Sequence, residues 1–207
     1  KSFFKIVERQ NYDGEECGGA IFIFNVDSVE ISFCDIRNNG ATLGSGIYCE
    51  KSSLSISNNQ FVENSGYYGG GLYCKDSSPI IKENNFYYNT SSHTGGGIYL
   101  CNSDAKIENN KIKYNKSYGR GGAITCAENS SPEIVNNIIS DNEAEKGGGI
   151  CCYQSTPLIK SNTISFNSAH AFGGGLYCSE KSKPEVVGNT FELNKADKGG
   201  ALYCDEE

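Results

Sequence analysis

A six-residue phrase led by glycine returns along this chain at a fixed step. It reads GGGLYC at 69 to 74, GGGIYL at 95 to 100, GGAITC at 121 to 126, GGGICC at 147 to 152, GGGLYC at 173 to 178 and GGALYC at 199 to 204. Each copy begins 26 residues after the one before, and GGAIFI at 18 and GSGIYC at 44 extend the series by steps of 26 and 25. A fixed period outranks local propensity as a guide to architecture, because each repeat is one unit that buries its apolar face only against its neighbours. The eight copies bound seven complete coils.

Within a coil the apolar residues alternate with period 2, the signature of a strand. Ile47 with Cys49, Leu72 with Cys74, Ile150 with Cys152 and Leu176 with Cys178 share one face of a first strand. A second strand places Leu54 with Ile56, Pro79 with Ile81 and Pro157 with Ile159 inward, and a third carries one large residue per coil: Ile36, Phe61, Phe86, Ile112, Ile139, Ile164 or Phe191. Length varies in only two turns, the one before the Pro position and the one ahead of the glycines. The expectation is an all-β, single-stranded parallel β-helix with three strands per coil. Neighbouring strands would lie about 4.8 Å apart, so like residues stack on like.

Two asparagine columns are the strongest stacks. Asn59, Asn84, Asn110, Asn137, Asn162 and Asn189 form one, headed by Cys34, and Asn39, Asn64, Asn89, Asn115, Asn142, Asn167 and Asn194 form the other. An amide both donates and accepts, so a column of them satisfies groups that are costly to bury singly. These are read as structural staples. A third column, Cys49, Cys74, Cys126, Cys152, Cys178 and Cys204, faces inward with parallel Cβ vectors, which suits buried thiols better than disulfides. Cys17, Cys34, Cys101 and Cys151 lie off that row, leaving an isolated bridge open.

The combination of GGGIYC-like, SSP and NN motifs, followed by Phe or Ile with xxN, resembles the right-handed parallel β-helix repeat of the pectin-lyase-like superfamily. More narrowly, GGAI at 18 and 121, GGAL at 199, FVEN at 61, FYYN at 86 and FELN at 191 resemble the paired GGA(I/L/V) and FxxN signatures of polymorphic outer-membrane adhesins. The resemblance covers residues 18 to 204 and implies a right-handed coil. It implies no single activity, since this scaffold hosts lyases, hydrolases, epimerases, adhesins and spacers.

A net charge of −7 with 18 Lys plus Arg leaves no basic stripe for nucleic acid. No apolar run approaches the roughly 18 residues of a membrane span. The opening KSFFKIVERQ lacks a signal-peptide core, so any export signal is expected to have been removed or to lie outside these residues. Sequons at Asn89, Asn115 and Asn129 hint at secretion.

Cleavage of a polysaccharide needs paired carboxylates, or a cationic base beside a calcium cluster, converging on one face. The columns offer none. Asp35 and Arg37 give way to Gln60 and Val62 in the next coil, and His93 and His170 sit three coils apart, roughly 14 Å if stacking is regular. No catalytic residue is assigned and no cofactor is expected. One calcium candidate joins Glu180, Asp205 and Glu206, where carboxylates become neighbours in an otherwise alternating column. The binding candidates are the outward aromatic row Tyr48, Tyr73, Tyr99, Tyr177 and Tyr203, broken at Thr125 and Cys151. Flat rings at strand spacing suit a glycan or a surface protein, although mutual stacking alone accounts for such a row.

Residues 1–17 read as part of a preceding coil, with Phe4 and Ile6 inward, and a lead-in loop. Residues 18–204 form the solenoid, and 205–207 begin a further turn. Uncapped coil ends would pair with further coils of the same chain or with another molecule end to end. The sequence thus predicts an extracellular or cell-surface structural and adhesive solenoid, non-catalytic in these coils. The alternative is a polysaccharide-active enzyme whose catalytic residues lie largely outside them.

Overall fold

A computed structural model of the chain describes residues 10–12, 15–26 and 28–205. Phe4, Ile6 and Glu206 lie outside the described residues. The coil beginning at Gly69 shows the plan. Its strands are Leu72–Lys75, Ile80–Lys82, Asn85–Tyr87 and Thr90–Thr94. Each pairs in parallel with its counterpart one coil away, and the register sets Leu72 on Ile47, Tyr73 on Tyr48 and Cys74 on Cys49. Among the described residues the result is a solenoid of four sheets, two of eight strands and two of seven. The one antiparallel pairing described is a lead-in hairpin, Gln10–Tyr12 against Glu15–Cys17.

The fourth strand occupies the segment that the sequence reads as a variable turn. Where Thr90–Thr94 meets Ser65–Tyr68 the register shifts between Gly66 and Tyr68, so a bulge absorbs the extra residue of the longer coil. The other variable turn absorbs its extra residue differently, by doubling a corner at Glu128 with Asn129 and at Glu180 with Lys181.

Apart from these two doubled ones, corners are single residues in the left-handed region. In the coil from Gly69 they are Gly69, Asp76, Glu83 and Tyr88, with φ of 62°, 48°, 58° and 57°. The corner entering the first strand is glycine in every coil, and Gly44 shows why. A Cβ there would stand 2.4 Å from the Ile47 carbonyl oxygen, so no side chain fits. The remaining corners accept side chains because the neighbouring ladders hold the backbone.

Those ladders explain how polar side chains lie buried in a dry column. Asn115 is 1% exposed. Its amide nitrogen donates to Asn142 Oδ1 at 3.0 Å and back to the Phe86 carbonyl at 3.0 Å, while its Oδ1 accepts from the Asn89 backbone N–H at 3.0 Å. The same pattern runs through both asparagine columns, and Cys34 N–H caps the first by donating to Asn59 Oδ1 at 2.8 Å. A serine ladder, which the sequence reading did not single out, pins the first corner. Ser52, Ser77 and Ser103 N–H donate to the hydroxyls of Ser77, Ser103 and Ser130 at 3.1, 3.1 and 3.0 Å.

Between the ladders runs one apolar core of stacked Ile, Leu, Phe and Cys. Phe61 and Phe86 lie face to face, with centroids 4.4 Å apart and planes 7° apart. The inward cysteines are free thiols; burial raises the Cys74 pKa well above the ordinary thiol value, and the contact with Cys126, together with burial, does the same for Cys152. All ten cysteines are unpaired, with only Cys204 exposed and Cys34 half-buried. Iodoacetamide at mildly alkaline pH is therefore expected to modify at most these two in the native protein and all ten in denaturant. Mass spectrometry giving more than two native adducts would contradict the buried thiol column.

Candidate functional site

The outward residues of the first strands carry the aromatic row. The structure buries most of it. Tyr48, Tyr73, Tyr99 and Tyr177 are 1%, 7%, 8% and 3% exposed, and Tyr203 is half-buried. The reason is a cover supplied by other columns. Leu43 and Tyr68, each just ahead of a glycine corner, join Cys101 and Ala127 with the tyrosines in a second apolar cluster outside the core. Rings stack within it: Phe22 on Tyr48 at 5.3 Å, Tyr73 on Tyr99 at 4.9 Å, and Tyr68 on Tyr99 at 5.5 Å.

Polar ends are answered inside this layer. Tyr48 donates its hydroxyl to Glu50 Oε2 at 2.6 Å, and Glu50, itself 1% exposed, meets Lys75 at 3.4 Å and Lys51 at 3.7 Å. Cys101 donates to Glu128 Oε2 at 3.0 Å, and burial with that carboxylate pushes its thiol up to about 12. Burial likewise holds the Tyr73 and Tyr99 hydroxyls above the usual phenol range. This half of the row is a packed structural layer.

The layer opens where Thr125 and Cys151 replace tyrosine. Cys151 is fully buried, and burial pushes its thiol up to about 12 although Arg120 and Lys146 pull the other way. With no ring at these two rungs, long cations take the place ahead of the glycine corners. Arg120 lies 4.6 Å from the Tyr153 ring centroid, Lys146 lies 5.2 Å from Phe172 and 5.5 Å from Tyr177, and Lys198 lies 5.6 Å from Phe172. These residues occupy successive rungs, Arg120 beside Lys146, Lys146 beside Phe172, and Phe172 beside Lys198.

Two clefts open along this line. One of about 380 Å³ is lined by Arg120, Lys146, Tyr177, Ser179, Lys198 and Asp205, among others, and one of about 320 Å³ adds His93, Gly119 and Glu145. They adjoin at Arg120 and Lys146, which line both, and lie side by side along the coils. Sequence reasoning missed these cations. The signal was the column before each glycine motif, Leu43, Tyr68, Thr94, Arg120, Lys146, Phe172 and Lys198, which turns from apolar to basic midway. A separate polar cleft of about 500 Å³, lined by Asn129, Gln154, Ser155 and Lys181, sits between the two doubled corners.

Of the calcium candidate, Glu180 and Asp205 fall among the described residues and Glu206 does not. Asp205 accepts the Tyr177 hydroxyl at 3.1 Å, Glu180 lines the same cleft, and no three His, Cys, Asp or Glu side chains converge among the described residues. The histidines have separate neighbours. His93 contacts Thr94 Oγ1 at 2.7 Å and stacks on Tyr67, whereas His170 meets Glu143 at 3.3 Å on an exposed face. Of the sequons, Asn89 and Asn115 are buried in their ladder and Asn129 is exposed.

Stacked parallel coils with polar ladders at their corners define a β-helix scaffold. A family model described as the right handed beta helix region matches residues 6–100 and 68–206, and the chain belongs to that family. No curated protein and no solved structure matches the chain.

Proposed function

We propose that the chain is a structural and adhesive solenoid of the cell surface or extracellular space, a rigid column that holds a binding groove and performs no covalent chemistry in these coils. The observation that carries this reading is the groove made by two adjoining clefts, one lined by His93 and the other by Asp205, with Arg120 and Lys146 lining both. Two asparagine ladders brace the coils on which it stands. Such a site is pre-organised, because its side chains stand on strands fixed by neighbours on both sides.

Affinity electrophoresis against defined acidic and neutral polysaccharides, with the same mixtures assayed for new reducing or unsaturated ends, tests this reading. Retardation without new ends is the expected result. New ends would establish the polysaccharide-active alternative, and mobility unchanged by every polysaccharide would remove the adhesive role. Protease shaving of intact source cells, expected to release solenoid peptides, tests the location.

A further inference from the structure

Two of the three sequons fall where the fold has no room for a sugar. Asn89 with Ser91 and Asn115 with Ser117 match the acceptor pattern for N-linked glycans, whose bulk ordinarily places them on a surface loop. Here Asn89 is 0% and Asn115 1% exposed, on adjacent rungs of the second asparagine ladder. The hydroxyl residues of the two sequons are buried with them, Ser91 at 0% and Ser117 at 1%. Asn129, on its doubled corner, is exposed.

The atom that would carry the sugar is the one the ladder uses. Asn89 Nδ2 donates to Phe61 O at 2.9 Å and to Asn115 Oδ1 at 3.0 Å, and Asn115 Nδ2 donates to Phe86 O and Asn142 Oδ1, each at 3.0 Å. A side-chain amide has two hydrogens, and both are engaged at each position. Transfer of a glycan from a lipid pyrophosphate donor forms a bond between Nδ2 and the sugar C1. It breaks the bond from C1 to the pyrophosphate oxygen and releases one amide proton. One ladder bond is then lost, a buried acceptor is left unpaired, and a sugar has to stand between strands about 4.8 Å apart. Turning the side chain gives no relief, because Asn89 Oδ1 accepts from the Asn64 backbone N–H at 3.1 Å and Asn115 Oδ1 from that of Asn89 at 3.0 Å.

We propose that Asn89 and Asn115 are glycan acceptors in the unfolded chain whose modification and folding exclude each other, so that the chain reaches the cell surface by a route that lacks the lipid-linked donor. These two sequons then argue against a glycosylating lumen rather than for one. The route rests on the surface location proposed above, whereas the exclusion rests on the ladder alone.

Producing the full chain behind a cleavable signal peptide in a cell line that N-glycosylates tests the exclusion. Limited proteolysis divides the lumenal protein into resistant and digested fractions, and glycopeptide mass spectrometry reads each. The resistant fraction is expected to carry no glycan at Asn89 or Asn115 and the digested fraction to carry them, while any glycan at Asn129 is shared between both. Ser91→Ala with Ser117→Ala destroys the two sequons, keeps the ladder asparagines and should raise the resistant fraction severalfold. Ser91 Oγ has no hydrogen-bond partner to lose, and Ser117 Oγ gives up its bond to His93 O. If that double variant does not fold when made in a bacterial cytosol, blocking donor synthesis in the glycosylating line should raise the resistant fraction of the unaltered chain instead. Glycans at Asn89 or Asn115 in the resistant fraction, both positions unmodified throughout the lumenal protein, or no gain on removing the sequons or the donor would overturn the proposal. Protease shaving that finds no solenoid on source cells would remove the route and leave the exclusion standing.

Discussion

Replacing Asn110 by alanine is expected to destabilise the solenoid by about 3–5 kcal/mol, the sum of two or more buried groups left unpaired at about 1–3 kcal/mol each. Asn110 is 1% exposed and sits mid-ladder. Its amide donates to Ile81 O at 2.9 Å, Glu108 O at 3.0 Å and Asn137 Oδ1 at 3.0 Å. Its Oδ1 accepts from the Asn84 backbone N–H at 2.9 Å. Alanine removes every one of these, and no water reaches the Asn84 N–H or the Ile81 carbonyl once the coils are stacked. The readout is a lower urea midpoint at unchanged slope. Asn189→Ala should cost clearly less, because Asn189 is half-buried and water can take up part of the loss. Equal costs at the two positions would show that ladder burial is not what makes the amide expensive to remove.

Gly96→Ala is expected to cost about 3 kcal/mol or more, at or above the upper end of ordinary overpacking. A Cβ on Gly96 would lie 2.5 Å from Gly122 O, 2.6 Å from Lys116 O and 2.8 Å from Lys116 C. All three are backbone atoms, Gly122 in the next coil and Lys116 in the last strand of the same coil, so relief requires the backbone to move and the ladders to stretch. Gly40 is the internal control, since its added Cβ would meet nothing nearer than Ser65 O at 3.7 Å. Gly40→Ala should be neutral or stabilising by up to about 1 kcal/mol, through the less flexible unfolded chain. Thermal melts of the two variants measure the contrast, and similar melting temperatures would refute the close approach at Gly96.

Much of this architecture is written plainly in the residues. The 26-residue step puts Cys49, Cys74 and Leu100 in one column, and the register of the first-strand sheet is the same. Asparagines at a constant offset from the large third-strand residue mark both ladders, because a corner that buries amides tolerates almost nothing else. Less visible was the fourth strand. TSSHT, the sequence of Thr90–Thr94, has no apolar alternation, and it is a strand because its backbone pairs with the coils on both sides. The serine ladder was hidden by an extra residue at Ser130 and Ser182, which breaks the regular offset from the cysteine column.

The site was read less well than the scaffold. Alternation along the first strand correctly sends Tyr48, Tyr73 and Tyr99 away from the core, yet it names only the side of the strand they occupy. What covers that side comes from other columns, as when Tyr68 stacks on Tyr99 one coil further along. The groove has the same origin, since Lys146 meets Phe172 and Tyr177 only when successive coils bring the column before the glycines beside the row after them.

The sequence alone determined the period, the inward faces, the ladders and the absence of a long apolar span, because each follows from spacing that survives in one dimension. Tertiary structure alone decided which outward residues became a second buried layer and which became a groove. Burial depends on the side chains that stacking brings across from neighbouring columns, and in this chain that cover changes from Leu43 and Tyr68 to Arg120 and Lys146 within a few rungs.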